Sequence, residues 1–117
     1  MALPHAQAGQ VIDLRPLGAA LADTKTQTIV KTESLEVIRI VMAAGKTLPP
    51  HAVPGEFTVQ CLEGRVEFGV GEVKHQLTSG SFLYLAGGSE HSLHALESSS
   101  LLVTIVLAQK SSAVKFG

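Results

Sequence analysis

The chain of 117 residues has little charge, a single cysteine and no tryptophan. Charged residues make up 16% of it, and 9 lysines and arginines against 10 aspartates and glutamates give a net charge of -1. Proteins that bind nucleic acid or an anionic membrane usually carry a basic face, so we expect neither partner. Because Cys61 is the only cysteine, no internal disulfide can form, and nothing calls for an oxidising compartment.

Signals for export and for membrane insertion are also missing from the sequence. The N-terminus lacks the basic start and the apolar run of a signal peptide. The longest apolar segment, residues 101–108, is much shorter than a membrane-spanning helix. These absences predict a cytoplasmic protein.

Apolar residues make up 45% of the sequence, which is enough for one substantial core in a chain of this length. We predict a flexible arm over residues 1–10, a single domain over residues 11–108, and a tail or final strand over residues 109–117. At the start of the domain, residues 11–14 have the composition of a short strand. Apolar spacing over residues 14–21 then predicts one short helix at most.

From residue 24 onward, short apolar segments alternate with glycine-rich turns, a pattern typical of an antiparallel sandwich or barrel. The predicted strands cover residues 24–31, 35–43, 57–62, 65–70, 73–77, 81–85, a segment from His91, and residues 101–107. Glu63 falls at a turn, where a carboxylate is usually solubilising.

The segment over residues 35–43 is apolar on both faces except at Arg39, which needs either solvent or a partner. Residues 101–107 are also apolar on both faces. This is more apolar surface than the interior of one small barrel can use, and such a surplus usually marks an interface. We therefore expect a homodimer.

Two stretches each place a histidine beside a bend and the start of a strand. The first runs from Gly45 to Gly64 and carries His51 in a proline-rich bend before the strand that starts at Phe57. The second covers residues 80–91 and ends in Gly-Gly-Ser-Glu-His, with His91 last.

The two stretches resemble the two motifs of the cupin superfamily of small β-barrels. Their matching positions are Gly45, His51, Gly64, Gly80, Gly88 and His91. Val53 and Phe57 stand where the first motif has its second His and its Glu, and Ala86 and Ala95 replace the Pro and Asn of the second. The resemblance covers roughly residues 24–108 and implies an all-β, RmlC-like cupin jelly-roll barrel of antiparallel strands.

The resemblance also implies a degenerate metal site. In the family, three ligands from the first motif and one histidine from the second hold one metal inside the barrel. This chain keeps only His51 and His91 of that set. We therefore expect no stoichiometric metal, with a weakly held divalent ion such as zinc, nickel or copper as the alternative.

The predicted pocket consists of His51, Val53, Phe57, Cys61 and His91. The two imidazoles would supply polar contacts, and the other side chains would form an apolar wall. In the alternative interpretation these side chains simply fill the barrel, and the histidines bind each other or water. Cys61 is either a small buried residue or a third, soft metal ligand.

Fold alone does not choose among functions. Our leading interpretation is a cupin that binds a small molecule of undetermined identity in a mostly apolar pocket closed by His51 and His91. One alternative is a metal-dependent oxygenase or isomerase that uses the two histidines with ligands outside the family pattern. A further alternative is a sensor or interaction module without chemistry.

Overall fold

The computed structural model describes residues 5–107, most of which belong to antiparallel strands. A 3-10 helix spans Gly18–Asp23. The strands are β1 (Gln27–Lys31), β2 (Leu35–Met42), β3 (Thr47–His51), β4 (Phe57–Glu63), β5 (Arg65–Val70), β6 (Val73–Thr78), β7 (Phe82–Leu85), β8 (His91–Ala95) and β9 (Ser99–Val106). Within this part of the chain no helix is long and apolar enough to cross a membrane.

The strands form two sheets with the core between them. The five-stranded sheet has the order β1-β2-β9-β4-β7, and the four-stranded sheet has the order β3-β8-β5-β6. Side chains alternate between core and outer face along each strand, so Phe57, Val59 and Cys61 of β4 are all buried. This two-sheet arrangement is the antiparallel sandwich predicted from the spacing of strands and turns.

The two apolar faces of β2 pack against different parts of the molecule. Ile38 and Ile40 point between the sheets, whereas Val37 lies on the outer face together with Arg39. The chain before the 3-10 helix crosses that outer face, because the Nη2 of Arg39 donates a hydrogen bond to the carbonyl oxygen of Arg15 at 2.9 Å. Arg39, which the sequence left in need of solvent or a partner, is therefore buried under this chain's own N-terminal segment.

The first prediction that the structure corrects concerns the bend around His51. Residues 47–51 form strand β3, although they include Pro49 and Pro50. Proline removes a hydrogen-bond donor, so it is tolerated in strands at sheet edges and at bulges. Strand β3 is an edge strand, and its pairing with β8 shifts register between Leu48 and His51.

The N-terminal predictions are also corrected. Residues 11–14 form no strand, and the helix begins at Gly18 instead of residue 14. Gly18 has a φ of +58°, outside the right-handed helical region, so a regular helix cannot continue back through it. The prediction of at most one short helix before residue 24 is confirmed.

The predicted domain boundaries fall partly outside the described residues. Of the arm predicted over residues 1–10, residues 5–10 are described, and the N–H of Ala6 donates to the carbonyl oxygen of Ile29 at 2.7 Å. The tail or final strand predicted over residues 109–117 lies outside the described residues.

Candidate functional site

Pairing of β3 with β8 brings the two histidine stretches together. His51 and His91 are direct cross-strand partners. The loops beside them also meet, because the N–H of Gly88 donates to the carbonyl oxygen of Val53 at 2.8 Å. A Cβ atom on Gly87 would collide with the carbonyl oxygen of Pro54, so this close approach requires glycine.

The imidazole of His91 lies among other rings. Its centroid is 4.3 Å from that of His51 and 4.7 Å from that of Phe57, and both of these rings are tilted against it. Phe68 stacks on His91 nearly in parallel at 5.6 Å. His91 is only 5% exposed, whereas His51 is exposed, so His51 lies at the mouth of the site and His91 deeper inside.

Backbone carbonyl groups fix the proton positions of both rings. The Nδ1 of His51 lies 3.2 Å from the carbonyl oxygen of Pro49, and the Nδ1 of His91 lies 3.0 Å from that of Ser89. A carbonyl oxygen only accepts hydrogen bonds, so each Nδ1 carries the hydrogen. In the neutral imidazole the Nε2 is then an acceptor, and no residue within 5–107 forms a hydrogen bond with either Nε2.

Burial favours the neutral form of His91. Desolvation lowers the pKa of His91 below its ordinary value, and the nearby His51 acts in the same direction. The hydrogen bond to Ser89 opposes both effects, but the net direction is downward. At neutral pH the deeper imidazole is therefore uncharged.

The two histidines border a cavity of about 150 Å³ between the sheets. Its wall is otherwise hydrocarbon and comes from both sheets and the loop after β3: Ile38, Ile40, Leu48, Val53, Phe57, Val59, Phe68, Leu93, Val103 and Ile105. Two larger grooves, of about 360 and 370 Å³, lie on the outside of the molecule. We place the site in the inner cavity because it alone of the three holds both imidazoles within an apolar wall.

The structure brings four of the five predicted pocket residues to this cavity. They are His51, Val53, Phe57 and His91. Cys61 does not line it, although it is fully buried. Its Sγ lies 3.5 Å from the carbonyl oxygen of Glu63, and burial raises the pKa of the thiol, so Cys61 stays protonated in the core at neutral pH.

Most of the cavity wall was not predicted from the sequence. Val103 and Ile105 of β9 stand beside Val59 and Phe57 of β4 in the sheet register. Alternation along β9 shows that these residues share a face, but the signal does not say which strand β9 pairs with. That information belongs to the topology, in which β9 lies between β2 and β4.

The residues at the cavity do not fit a metal site with three protein ligands. Val53 and Phe57 have hydrocarbon side chains, so they cannot bind a cation. Across residues 5–107, no three side chains among His, Cys, Asp and Glu come close enough together to hold one. Among the described residues that line the cavity, only the two imidazoles have nitrogen atoms that could bind a cation.

At the far end of β4, a second polar cluster joins three segments of the chain. Glu63 lies 3.3 Å from the Nη2 of buried Arg39 and accepts hydrogen bonds from the N–H groups of Leu17 and Gly18 and from the hydroxyl of Ser100. Burial by itself would raise the pKa of Glu63, but these donors and Arg39 lower it. The interpretation of Glu63 as a solubilising turn residue is wrong, because its partners come from distant parts of the sequence.

No protein-family model matches the chain, and no curated protein matches it. Many solved structures do. A cupin superfamily protein from Desulfitobacterium hafniense is 13% identical, with 88% of this chain and 100% of that chain covered and a TM-score of 0.72. An RmlC-like cupin from Shewanella frigidimarina is 19% identical, with 92% and 95% covered and a TM-score of 0.69.

A predicted oxalate decarboxylase from Thermotoga maritima is also similar. It is 18% identical, with 71% of this chain and 79% of that chain covered and a TM-score of 0.64. At such identities the likeness establishes the fold and leaves the activity open. The resemblance seen in the two histidine stretches is thereby confirmed at the level of architecture: the chain has the RmlC-like jelly-roll fold of the cupin superfamily.

Proposed function

We propose that the protein binds a small, largely apolar molecule in the inner cavity, where His51 and His91 orient it. The observation that carries this proposal is the composition of the cavity wall, in which the two imidazoles are the only polar side chains among the described residues. Binding sites for small molecules usually combine an apolar wall with a few polar groups that set orientation.

The size of the cavity limits the ligand. Apolar cavities of about 150 Å³ in other proteins hold a molecule the size of benzene. The volume found here, about 150 Å³, therefore suits a ligand with one ring or a short branched chain. Larger ligands would have to extend past His51 into solvent.

Toluene tests the proposal, because it matches the cavity in size and has no polar group. We expect toluene to bind to the wild type in a calorimetric titration. Val103→Phe adds a ring to the cavity wall and should abolish binding, whereas Val73→Phe makes the same change at an exposed position, 57% exposed, and should leave binding unchanged. No binding of either toluene or phenol to the wild type, or equal loss in both variants, would contradict the proposal.

A metal-dependent oxygenase or isomerase is the second candidate. It is favoured by the orientation of the imidazoles. Each Nδ1–H donates a hydrogen bond to a carbonyl oxygen, so the lone pair of each Nε2 is available to bind a metal. It is also favoured by the similarity to a predicted oxalate decarboxylase. Against it stands the hydrocarbon of Val53 and Phe57 beside the histidines.

Elemental analysis of protein purified without metal-affinity resin or chelator separates the two candidates. We expect the purified protein to contain well under one equivalent of any metal. A divalent ion such as zinc, nickel or copper should bind only weakly. About one equivalent of a single metal, lost in both His51→Ala and His91→Ala, would favour the enzyme. His94→Ala is the control, because His94 lies on the outer face of β8 and bonds Thr47.

The homodimer also stays a prediction, together with the cytoplasmic location. The homodimer is supported by exposed apolar side chains on the outer face of the five-stranded sheet. Phe82, Tyr84 and Val106 are 63%, 54% and 42% exposed there. Two copies that bring these faces together would bury apolar surface that a single copy leaves in water. Light scattering should give twice the monomer mass, and Tyr84→Lys should reduce it. A concentration-independent monomer would disprove the dimer.

A further inference from the structure

The cavity has no means of neutralising a charged ligand. Among its described wall residues there is no carboxylate, lysine or arginine, and the two histidines are its only titratable groups. An ion placed against hydrocarbon without a partner loses its hydration and gains nothing in return. While both imidazoles are neutral, the cavity therefore excludes carboxylates and ammonium groups.

The hydrogen-bonding capacity of the two histidines is equally restricted. Each Nδ1–H is already used by a carbonyl oxygen, that of Pro49 or Ser89. What remains to a ligand is a lone pair on each Nε2, which accepts hydrogen bonds and cannot donate one. A ligand that only accepts hydrogen bonds, such as an ether or a ketone, gains nothing from either ring.

Aromatic surfaces surround the deeper imidazole. Phe57 and Phe68 both lie within ring-contact distance of His91, with centroids 4.7 and 5.6 Å away. Offset-stacked and edge-to-face arrangements of rings are favourable at such distances. A flat, unsaturated ligand next to His91 would extend this group of rings.

We propose that the cavity selects uncharged aromatic molecules that donate a hydrogen bond, with phenols as the simplest class. The phenol hydroxyl would donate to an Nε2 of His51 or His91, and the ring would lie against the hydrocarbon wall. This inference rests on the proposed function, since it names the class of ligand for the same cavity.

Four probes of similar size separate the contributions at pH 8, where phenol and the buried His91 are uncharged. Phenol carries a donor, anisole only an acceptor, toluene neither, and benzoate a charge. Toluene leaves water more readily than phenol. If phenol formed no hydrogen bond in the cavity, toluene would therefore bind more tightly than phenol. We expect phenol to bind about tenfold more tightly than anisole, the effect of one good hydrogen bond, and benzoate not to bind.

Histidine variants show which of the two imidazoles accepts the hydrogen bond from phenol. His51→Leu and His91→Leu each remove one acceptor, and the ratio of phenol affinity to toluene affinity should fall about tenfold in whichever variant loses the hydrogen bond. His94→Leu makes the same change on the outer face of β8 and should leave the ratio unchanged. If a variant does not fold, the four probes on the wild type still decide the question.

The outcomes distinguish this inference from the proposed function. If toluene and anisole bind as tightly as phenol, or if benzoate binds most tightly, the selection for donors is overturned and the cavity remains a binding site. If no probe binds, the proposed function itself fails.

Discussion

Strand β4 begins at one kind of polar site and ends at another. At its first residue, Phe57, it borders a cavity where two imidazoles each keep a nitrogen without a hydrogen-bond partner among residues 5–107. At its last residue, Glu63, it reaches a carboxylate that bonds two backbone N–H groups, one hydroxyl and one guanidinium. The two ends differ in how far their polar atoms are already satisfied.

From that difference we propose a structural role for the Glu63 end of β4 and a functional role for the cavity end. Polar groups that satisfy one another hold segments in place and have nothing left for a ligand, as at Glu63. Polar groups that face an apolar cavity with unused hydrogen-bonding capacity are available to a ligand, and those of His51 and His91 are of this kind. The structural end is not perfectly satisfied, because the Nε of Arg39 is buried and has no partner among the described residues.

Removing the carboxylate of Glu63 should have the largest effect on stability. Glu63→Ala leaves Arg39, whose side chain is 5% exposed, without its carboxylate partner, and breaking a buried ion pair in this way costs about 3–5 kcal/mol. Urea unfolding measures this loss. Glu67→Ala is the control, since Glu67 faces Lys74 at 3.9 Å on the surface and should cost less than about 1 kcal/mol. Similar losses in both variants would contradict a structural role specific to Glu63.

Replacing the deeper imidazole should affect stability much less. His91→Leu exchanges a ring whose one hydrogen-bond partner among the described residues is the carbonyl oxygen of Ser89 for a hydrocarbon that suits the cavity wall. We expect the free energy of unfolding to change by about 1 kcal/mol or less, because the lost hydrogen bond is offset by removal of a buried polar group. A loss as large as that in Glu63→Ala would mean that His91 is also structural, and the comparison would fail.

The smallest expected effect is a dependence of stability on pH. Burial lowers the pKa of His91 in the folded state, so below about pH 6.5, the value in an unfolded chain, the unfolded state binds more protons. This contribution to stability is present in full above that pH and is lost as the pH falls toward the pKa of the folded state. Urea unfolding between pH 8 and pH 5 should show the decline, and His91→Leu should flatten it. An equal decline in the variant would assign it to other groups.

Local patterns in the sequence predicted those structural features that depend on residues close together in the chain. Alternation with period two located the strands on either side of the turn at Gly64, which has a φ of +88°. The spacing of glycine and histidine identified His51 and His91. Strand β3 was missed because proline opposes a strand locally, and only its position at a sheet edge makes it acceptable.

Properties that depend on depth or on distant partners could not be predicted. Cys61 shares its face of β4 with Phe57, but it lies four residues along the strand, or about 13 Å at 3.3 Å per residue. Alternation shows which face of the strand a residue occupies, but not how far from the cavity it lies along the strand. Cys61 packs in the core beyond the cavity. The partners of Glu63 are similarly hidden, since Leu17 is 46 residues away in sequence.

Intermolecular nuclear Overhauser effects between phenol and methyl-labelled protein test the central claim most directly. We predict contacts from the phenol ring to the methyl groups of Ile38, Ile40 and Val103, which line the cavity from two strands. Contacts to exposed residues of the outer sheet face alone, or no contacts at a phenol concentration that saturates the wild type, would contradict binding in the inner cavity beside His51 and His91.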